Sequence, residues 1–197
     1  CVIALITSVS MDFRSPNSLR EEAVTLENPL VNKLEITSTS LERKYYRNNW
    51  FKVEPFENFD EDTAILKNVS VHIFKSPSDS FKVTMLKLVN GPSRTDADIT
   101  ASKMSYSVVQ KDTLLVAADG IPITRQDKFR NQRIVLMIYV PVGKQVRIND
   151  NMGWGGELRF GPWDNHDWNL GFRDQEEGWQ HDVDYIMKAD GLYDLNG

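Results

Sequence analysis

Apolar and polar positions alternate with a period of two along much of the chain, most clearly in Arg133–Asp150, RIVLMIYVPVGKQVRIND. Ile134, Leu136, Ile138 and Val140 interleave with Val135, Met137 and Tyr139, so a strand here has two apolar faces. Such a strand belongs inside a sheet covered on both sides, not at a free edge. Pro141-Val142-Gly143-Lys144 then reads as a tight corner, with Gly143 expected at positive φ. Beyond it Val146 and Ile148 alternate with Gln145, Arg147 and Asn149, the pattern of a strand with one face buried and one wet.

The same reading extends upstream. Ala64–Phe74 reads as one strand, Lys75–Asp79 as a turn and Phe81–Val89 as the returning strand. Asn90-Gly91-Pro92 breaks the pattern. Ser93 is a candidate N-cap with Asp96 three residues on, and Ala97, Ala101 and Met104 fall at helical spacing, which predicts one short helix over Arg94–Lys103. Tyr106–Gln110, Lys111-Asp112 and Thr113–Ala118 read as a second hairpin, and Asp119–Arg130 as a polar loop. Ser15–Leu41 starts as a polar connector and alternates weakly through Leu30, Leu34 and Ile36. Arg43–Phe59 is dense in aromatic residues, read first as a core layer or strand cap and alternatively as a ligand platform.

These elements predict a mainly β fold of stacked short antiparallel strands, a sandwich or solenoid, with one short helix and a loop-rich Gly/Trp C-terminal lobe. No exact repeat period supports a strict solenoid. The expected organisation is 1–14 as membrane stub or first strand, 15–60 as N-terminal strands with the aromatic cluster, 61–150 as the β core, and 151–197 as an acidic lobe packed on it. The expected core is Val69, Val71, Ile73, Val83, Met85, Leu114, Val116, Ile134, Leu136, Ile138 and Val140.

Charge sharpens this picture. The chain of 197 residues is 41% hydrophobic, 26% charged and carries a net −5, which argues against a nucleic-acid surface. Residues 150–197 hold eleven Asp and Glu against three basic residues, a local −8, while the remainder is +3. The single Cys1 excludes an internal disulfide and a Cys-rich zinc site. Cys1–Met11 is apolar but shorter than the ~20 residues that span a bilayer. It reads as a first strand, the stub of a transmembrane helix or a lipidated start at Cys1.

Candidate chemistry is sparse. Asp164, His166, Asp167, His181, Asp182 and Asp184 could in principle hold a divalent metal, with His166, His181 and Asp182 the weak candidates. Their spacing fits no closed zinc pattern, and a solvated acidic surface is the favoured reading, so no metal and no cofactor are expected. There is no Gly-x-Ser-x-Gly elbow, no Cys–His pair and no phosphate loop, so no catalytic residues are assigned. Asn68-Val69-Ser70 fits a glycosylation acceptor but lies within a strand pattern. The candidate binding residues are Trp154, Trp163, Trp168 and Trp179 with Asp164 and Asp167, since indoles beside carboxylates suit a basic protein or a sugar. Pro141, Gly143 and Lys144 are the candidate structural corner.

Val69–Gly191 resembles the region that follows the membrane segments in long phage shock protein C (PspC) homologues of gram-negative bacteria. The likeness lies in VSVHIFKSPSDSFKVTML, GPSRTDADITASKMSYSV, KDTLLV, the specific KFRNQRIVLMIYVPVGKQVRIND, and the closing IMKADGLYDL. It implies a toast-rack or β-solenoid-like fold and a non-enzymatic domain that senses envelope stress or binds a partner protein. It implies attachment through residues upstream of Cys1, an inner-membrane anchor and a periplasmic domain, with the cytoplasmic face as the alternative. A protein partner in the cell envelope is expected, no nucleic acid, and a homo-oligomer is left open. The other functional class is a carbohydrate-binding or carbohydrate-processing envelope protein using the Trp-rich acidic lobe.

Overall fold

The computed structural model describes residues 18–39, 63–124, 127, 130–149, 158–160 and 180–195. In chain order the strands are β1 (Ser18–Val24), β2 (Lys33–Thr39), β3 (Ala64–Leu66), β4 (Val69–Lys75), β5 (Lys82–Val89), β6 (Val108–Lys111) and β7 (Leu114–Ala118). They continue with β8 (Ile121–Ile123), β9 (Arg133–Val140), β10 (Gln145–Ile148), β11 (Leu158–Phe160), β12 (Asp184–Met187) and β13 (Leu192–Asp194). The helix α1 spans Arg94–Lys103.

Eleven of these strands form two mixed sheets. One has the order β1-β5-β9-β4-β11, the other β13-β12-β10-β2-β7-β6, and β3 and β8 make a separate ribbon. β4 runs parallel to β9 and β11, and β2 parallel to β7 and β10, so the stack is not purely antiparallel. The two-faced apolar pattern of β9 is accounted for by its place between β5 and β4. Its even-numbered residues Ile134, Leu136, Ile138 and Val140 join Val69, Val71, Ile73, Val83 and Met85 in the main core. Facing them are Leu34, Ile36, Leu115, Val146, Ile148 and Met187 from the six-stranded sheet. Its odd-numbered Val135 and Met137 form a second buried cluster with Leu86 and Leu88, flanked by Phe74 and Tyr139, on the opposite face of the five-stranded sheet.

Several local expectations need correction. β4 and β5 are not a hairpin, because β9 lies between them and pairs with both. A strand apolar on both faces takes the central position, and the Ser76–Ser80 turn therefore spans a gap of one strand. The strand expected over Ala64–Phe74 breaks at Lys67-Asn68: Asn68 donates its backbone N–H to Leu66 O at 2.9 Å and its side-chain N–H to Gln132 O at 3.0 Å. The side-chain amide of the Asn68-Val69-Ser70 sequence is thereby used inside the fold. The polar stretch before Leu30 contains β1, whose charged residues mark it as a sheet edge. The loop over Asp119–Arg130 contains β8. Leu30 is exposed, and Leu114 is half-buried where a core position was expected.

Other expectations hold in detail. Ser93 caps α1, its hydroxyl accepting the Asp96 N–H at 3.1 Å and donating to Asp96 Oδ2, which is the N-cap half of a capping box with a side-chain contact in place of the returning backbone bond. α1 buries Ala97 and Ala101, and Gly91 lies so close beneath it that a Cβ there would sit 2.9 Å from Ala97 N. The β6–β7 hairpin turns at Asp112, whose φ is 56°. Gly143 has φ 83°, and the corner carries the chain from β9 in one sheet to β10 in the other.

Candidate functional site

Strand polarity defines two ends of the sandwich. Lys75 pairs with Val140, Val24 with Val83 and Lys33 with Gln145, so the chain turns at 25–32, 76–81, 141–144 and 188–191 share one end. The other end holds Ser18, which pairs with Val89, together with α1 and the β3–β8 ribbon. The first is called here the corner end, the second the helix end.

The corner end is built rigidly. Lys144 donates from Nζ to Leu30 O at 3.2 Å and to Asn32 Oδ1 at 2.6 Å. Gly143 N–H donates to Met187 O at 2.8 Å, and Met187 N–H returns a bond to Lys144 O at 3.0 Å. Phe81 N–H donates to Pro29 O at 2.8 Å, and Lys75 Nζ reaches Ala189 O at 2.7 Å, which ties the five-stranded sheet to the β12–β13 turn. Ser76 Oγ accepts from Ser78 N–H at 3.2 Å and donates to Ser80 O at 3.0 Å, closing the serine turn on itself. On this frame Leu30 and Val142 stand out at 64% and 54% exposure, the two most exposed large apolar residues among those described. Each lies three residues before the paired Lys33 and Gln145, so they project from neighbouring loops beside the Lys144 ammonium. Apolar side chains on hydrogen-bonded loops of a stiff scaffold are a recurrent form of recognition surface.

Of the sequence-predicted site, Pro141, Gly143 and Lys144 are therefore in place as the corner. His181 and Asp182 lie just before β12, where Asp182, at φ 62°, donates its N–H to Ile148 O at 2.8 Å. Its carboxylate faces Arg147 at 3.6 Å, and Arg147 also approaches Asp184 at 3.5 Å. Lys33 stands 2.8 Å from Asp184 and 3.0 Å from Glu35. Burial works to lower the Lys33 value, but these two carboxylates outweigh it and raise it. The acids here are neutralised by cations rather than gathered around an empty centre. Among the described residues no group of three or more His, Cys, Asp or Glu could hold a metal ion. Trp154, Trp163, Asp164, His166, Asp167, Trp168 and Trp179 lie outside the described residues, as does Arg43–Phe59.

Gln110 is the residue the alternation pattern hid. It is 1% exposed, accepts the Asn28 N–H at 3.1 Å, and donates to Asn28 O at 2.9 Å and Asp112 O at 2.7 Å. It thus pins the loop that carries Leu30 to the β6–β7 hairpin. The only signal for it was a polar residue at an inward strand position.

The described residues thus form a two-sheet β domain with an ordered corner and two projecting apolar side chains. A family model described as the toast-rack found in some PspC proteins matches residues 56–157, just over half of the chain. The chain belongs to that family. No curated protein and no solved structure gives a significant match. Among the described residues no helix is long and apolar enough to cross a membrane.

Proposed function

We propose that this chain is the non-enzymatic domain of a PspC-like envelope-stress membrane protein, and that its corner end binds a protein partner. Family membership supports the first part. The observation that supports the second is polarity: Ser18, the start of β1, stands at the helix end, while Leu30 and Val142 project from the opposite end. With attachment upstream of Cys1, the corner end points away from the membrane. The domain then stands in the periplasm on an inner-membrane anchor, with the partner approaching from the far side. The tryptophan- and acid-rich segment is the second contributor to this reading, through Trp163, Trp168 and the carboxylates beside them, which would favour a basic partner.

The test is site-specific photocrosslinking in the membrane-anchored full-length protein. A crosslinker at position 30 or 142 should give one discrete protein adduct. The same group at Ile99, exposed on α1 at the helix end, should not. With the crosslinker at 142, Leu30→Asp should remove the adduct, and with it at 30, Val142→Asp should do the same, in neither case with a lower melting temperature. Adducts from position 99 alone would place the surface at the other end. Adduct formation lost only with Trp163→Ala and Trp168→Ala would shift it to the acidic segment.

A further inference from the structure

Between β5 and α1 the chain runs Asn90-Gly91-Pro92. An Asn-Gly pair is open to a spontaneous reaction, because glycine has no Cβ to keep its amide nitrogen from the asparagine side chain. The Gly91 nitrogen attacks Asn90 Cγ and loses its proton, the bond from Cγ to the side-chain nitrogen breaks, and ammonia leaves. Water then opens the cyclic imide at either carbonyl. Opening on one side gives aspartate. Opening on the other gives isoaspartate, whose main chain runs through Cβ and Cγ and so gains a methylene.

Both reacting groups are uncommitted. Asn90 is half-buried, and among the described residues its carboxamide and the Gly91 N–H make no hydrogen bond. What restrains them is position. The Asn90 N–H donates to Arg130 O at 2.9 Å. Gly91 is buried, and a Cβ on it would lie 2.9 Å from Ala97 N and 3.1 Å from Ser93 O. The helix above it is fixed at both ends: Ser93 caps its start, and the Met104 carbonyl at its close accepts from the Lys87 ammonium at 2.9 Å. Ala101 and Met104 belong to the main core, so Gly91 is freed only when the core itself opens. Closing the imide has to swing the Gly91 nitrogen toward the Asn90 side chain, and a glycine packed this closely has no room for that turn.

We propose that Asn90 is a deamidation site that the folded domain shields and the unfolded chain exposes, and that its isoaspartyl product no longer fits between β5 and α1. The fit fails because the extra methylene enters the main chain where Asn90 is bonded to Arg130 O and Gly91 lies against Ala97. The aspartyl product keeps the original chain length and only exchanges a half-buried carboxamide for a carboxylate. Time spent unfolded is thereby recorded covalently, at the link that joins the five-stranded sheet to its helix.

Timed incubation of the full chain in mildly alkaline buffer, folded and in guanidinium chloride, tests this by peptide mapping. Each rate is taken relative to a peptide of residues 86–95 in the same solvent. Conversion at Asn90 should be at least about tenfold faster in the unfolded chain, because in the folded chain it waits for opening. The aged chain is then separated into its aspartyl and isoaspartyl forms, with Asn90→Asp as the reference for charge alone. Asn90→Asp should refold with a urea midpoint close to wild type, whereas the isoaspartyl chain should have a lower midpoint or fail to refold. Equal relative rates in the folded and unfolded chain would overturn the shielding. An isoaspartyl chain as stable as Asn90→Asp would overturn the misfit.

Discussion

Glu22 on the edge strand β1 meets Lys87 on β5 at 2.9 Å, and the Lys87 ammonium also donates to Met104 O at 2.9 Å, where the chain leaves α1. Lys87 is 6% exposed, so strand, neighbour and helix end are joined by one buried cation. The hydrogen bond from Lys87 holds the Glu22 carboxyl below its usual value, against the opposing effect of burial. A depressed carboxylate stabilises the fold above its ordinary value, and that stabilisation is lost as pH falls through the folded value. Glu22→Gln should therefore lower stability at pH 7 by about 1 kcal/mol, a magnitude limited by its partial exposure. The gap from wild type should close as pH drops below about 4.3. Paired thermal melts between pH 7 and pH 3 check this; a gap constant with pH would show that the pair contributes no titrating stability.

Gly143 is the corner residue whose conformation a side chain resists. Its φ is 83°, and a Cβ placed there would meet nothing within 4 Å. The cost of Gly143→Ala is thus conformational and not steric crowding with neighbours, about 1–2 kcal/mol. Gly143→Asn should cost less, since asparagine tolerates the left-handed region better. Urea titration should show both as shifts of the midpoint with an unchanged slope.

The sequence was most legible where local chemistry and global packing agree. β9, the corner, β10, α1 with its Ser93 cap and the β6–β7 hairpin each carry a period, a turn residue or a cap that decides the local structure without help from afar. Strand pairing was not legible in the same way. The turn between β4 and β5 looks like a hairpin, and only the position of β9, more than forty residues later, separates them. β1 was hidden because an edge strand protected by Arg20, Glu21 and Glu22 has no apolar alternation to read. Of the candidate site, Pro141–Lys144 was legible through proline and glycine chemistry. Leu30 and Val142 were not, because an exposed apolar residue and a buried one are the same letter until the loops are placed.

Leu136 and Leu114 should separate the core from its margin. Leu136 is fully buried between Met85 and Val71 on the neighbouring strands, whereas Leu114 is half-buried at the start of β7. Leu136→Ala should cost 2–5 kcal/mol through lost burial and the cavity left behind. Leu114→Ala should cost about 1 kcal/mol, in proportion to the smaller area removed from water. Equal losses in chemical denaturation would mean that Leu114 belongs to the core as first expected.

Gln110 offers the sharpest separation of shape from hydrogen bonding. Its side-chain amide satisfies three backbone groups, Asn28 N–H, Asn28 O and Asp112 O, from a position 1% exposed to solvent. Gln110→Leu retains the volume and should still destabilise by about 2–3 kcal/mol, because buried backbone groups lose their partners. Gln110→Glu keeps the acceptor for Asn28 N–H but removes both donors and sets a carboxylate against two carbonyl oxygens, so it should be the worse of the two at pH 7. It should recover partly in acid, where the protonated carboxyl can donate to one of those carbonyls. The loop that Gln110 holds carries Leu30, so both variants should also speed amide exchange at Asn28 and Leu30 before they affect β9. Exchange that rises in β9 to the same degree would show that Gln110 supports the sheets as a whole and not the loop at the corner end.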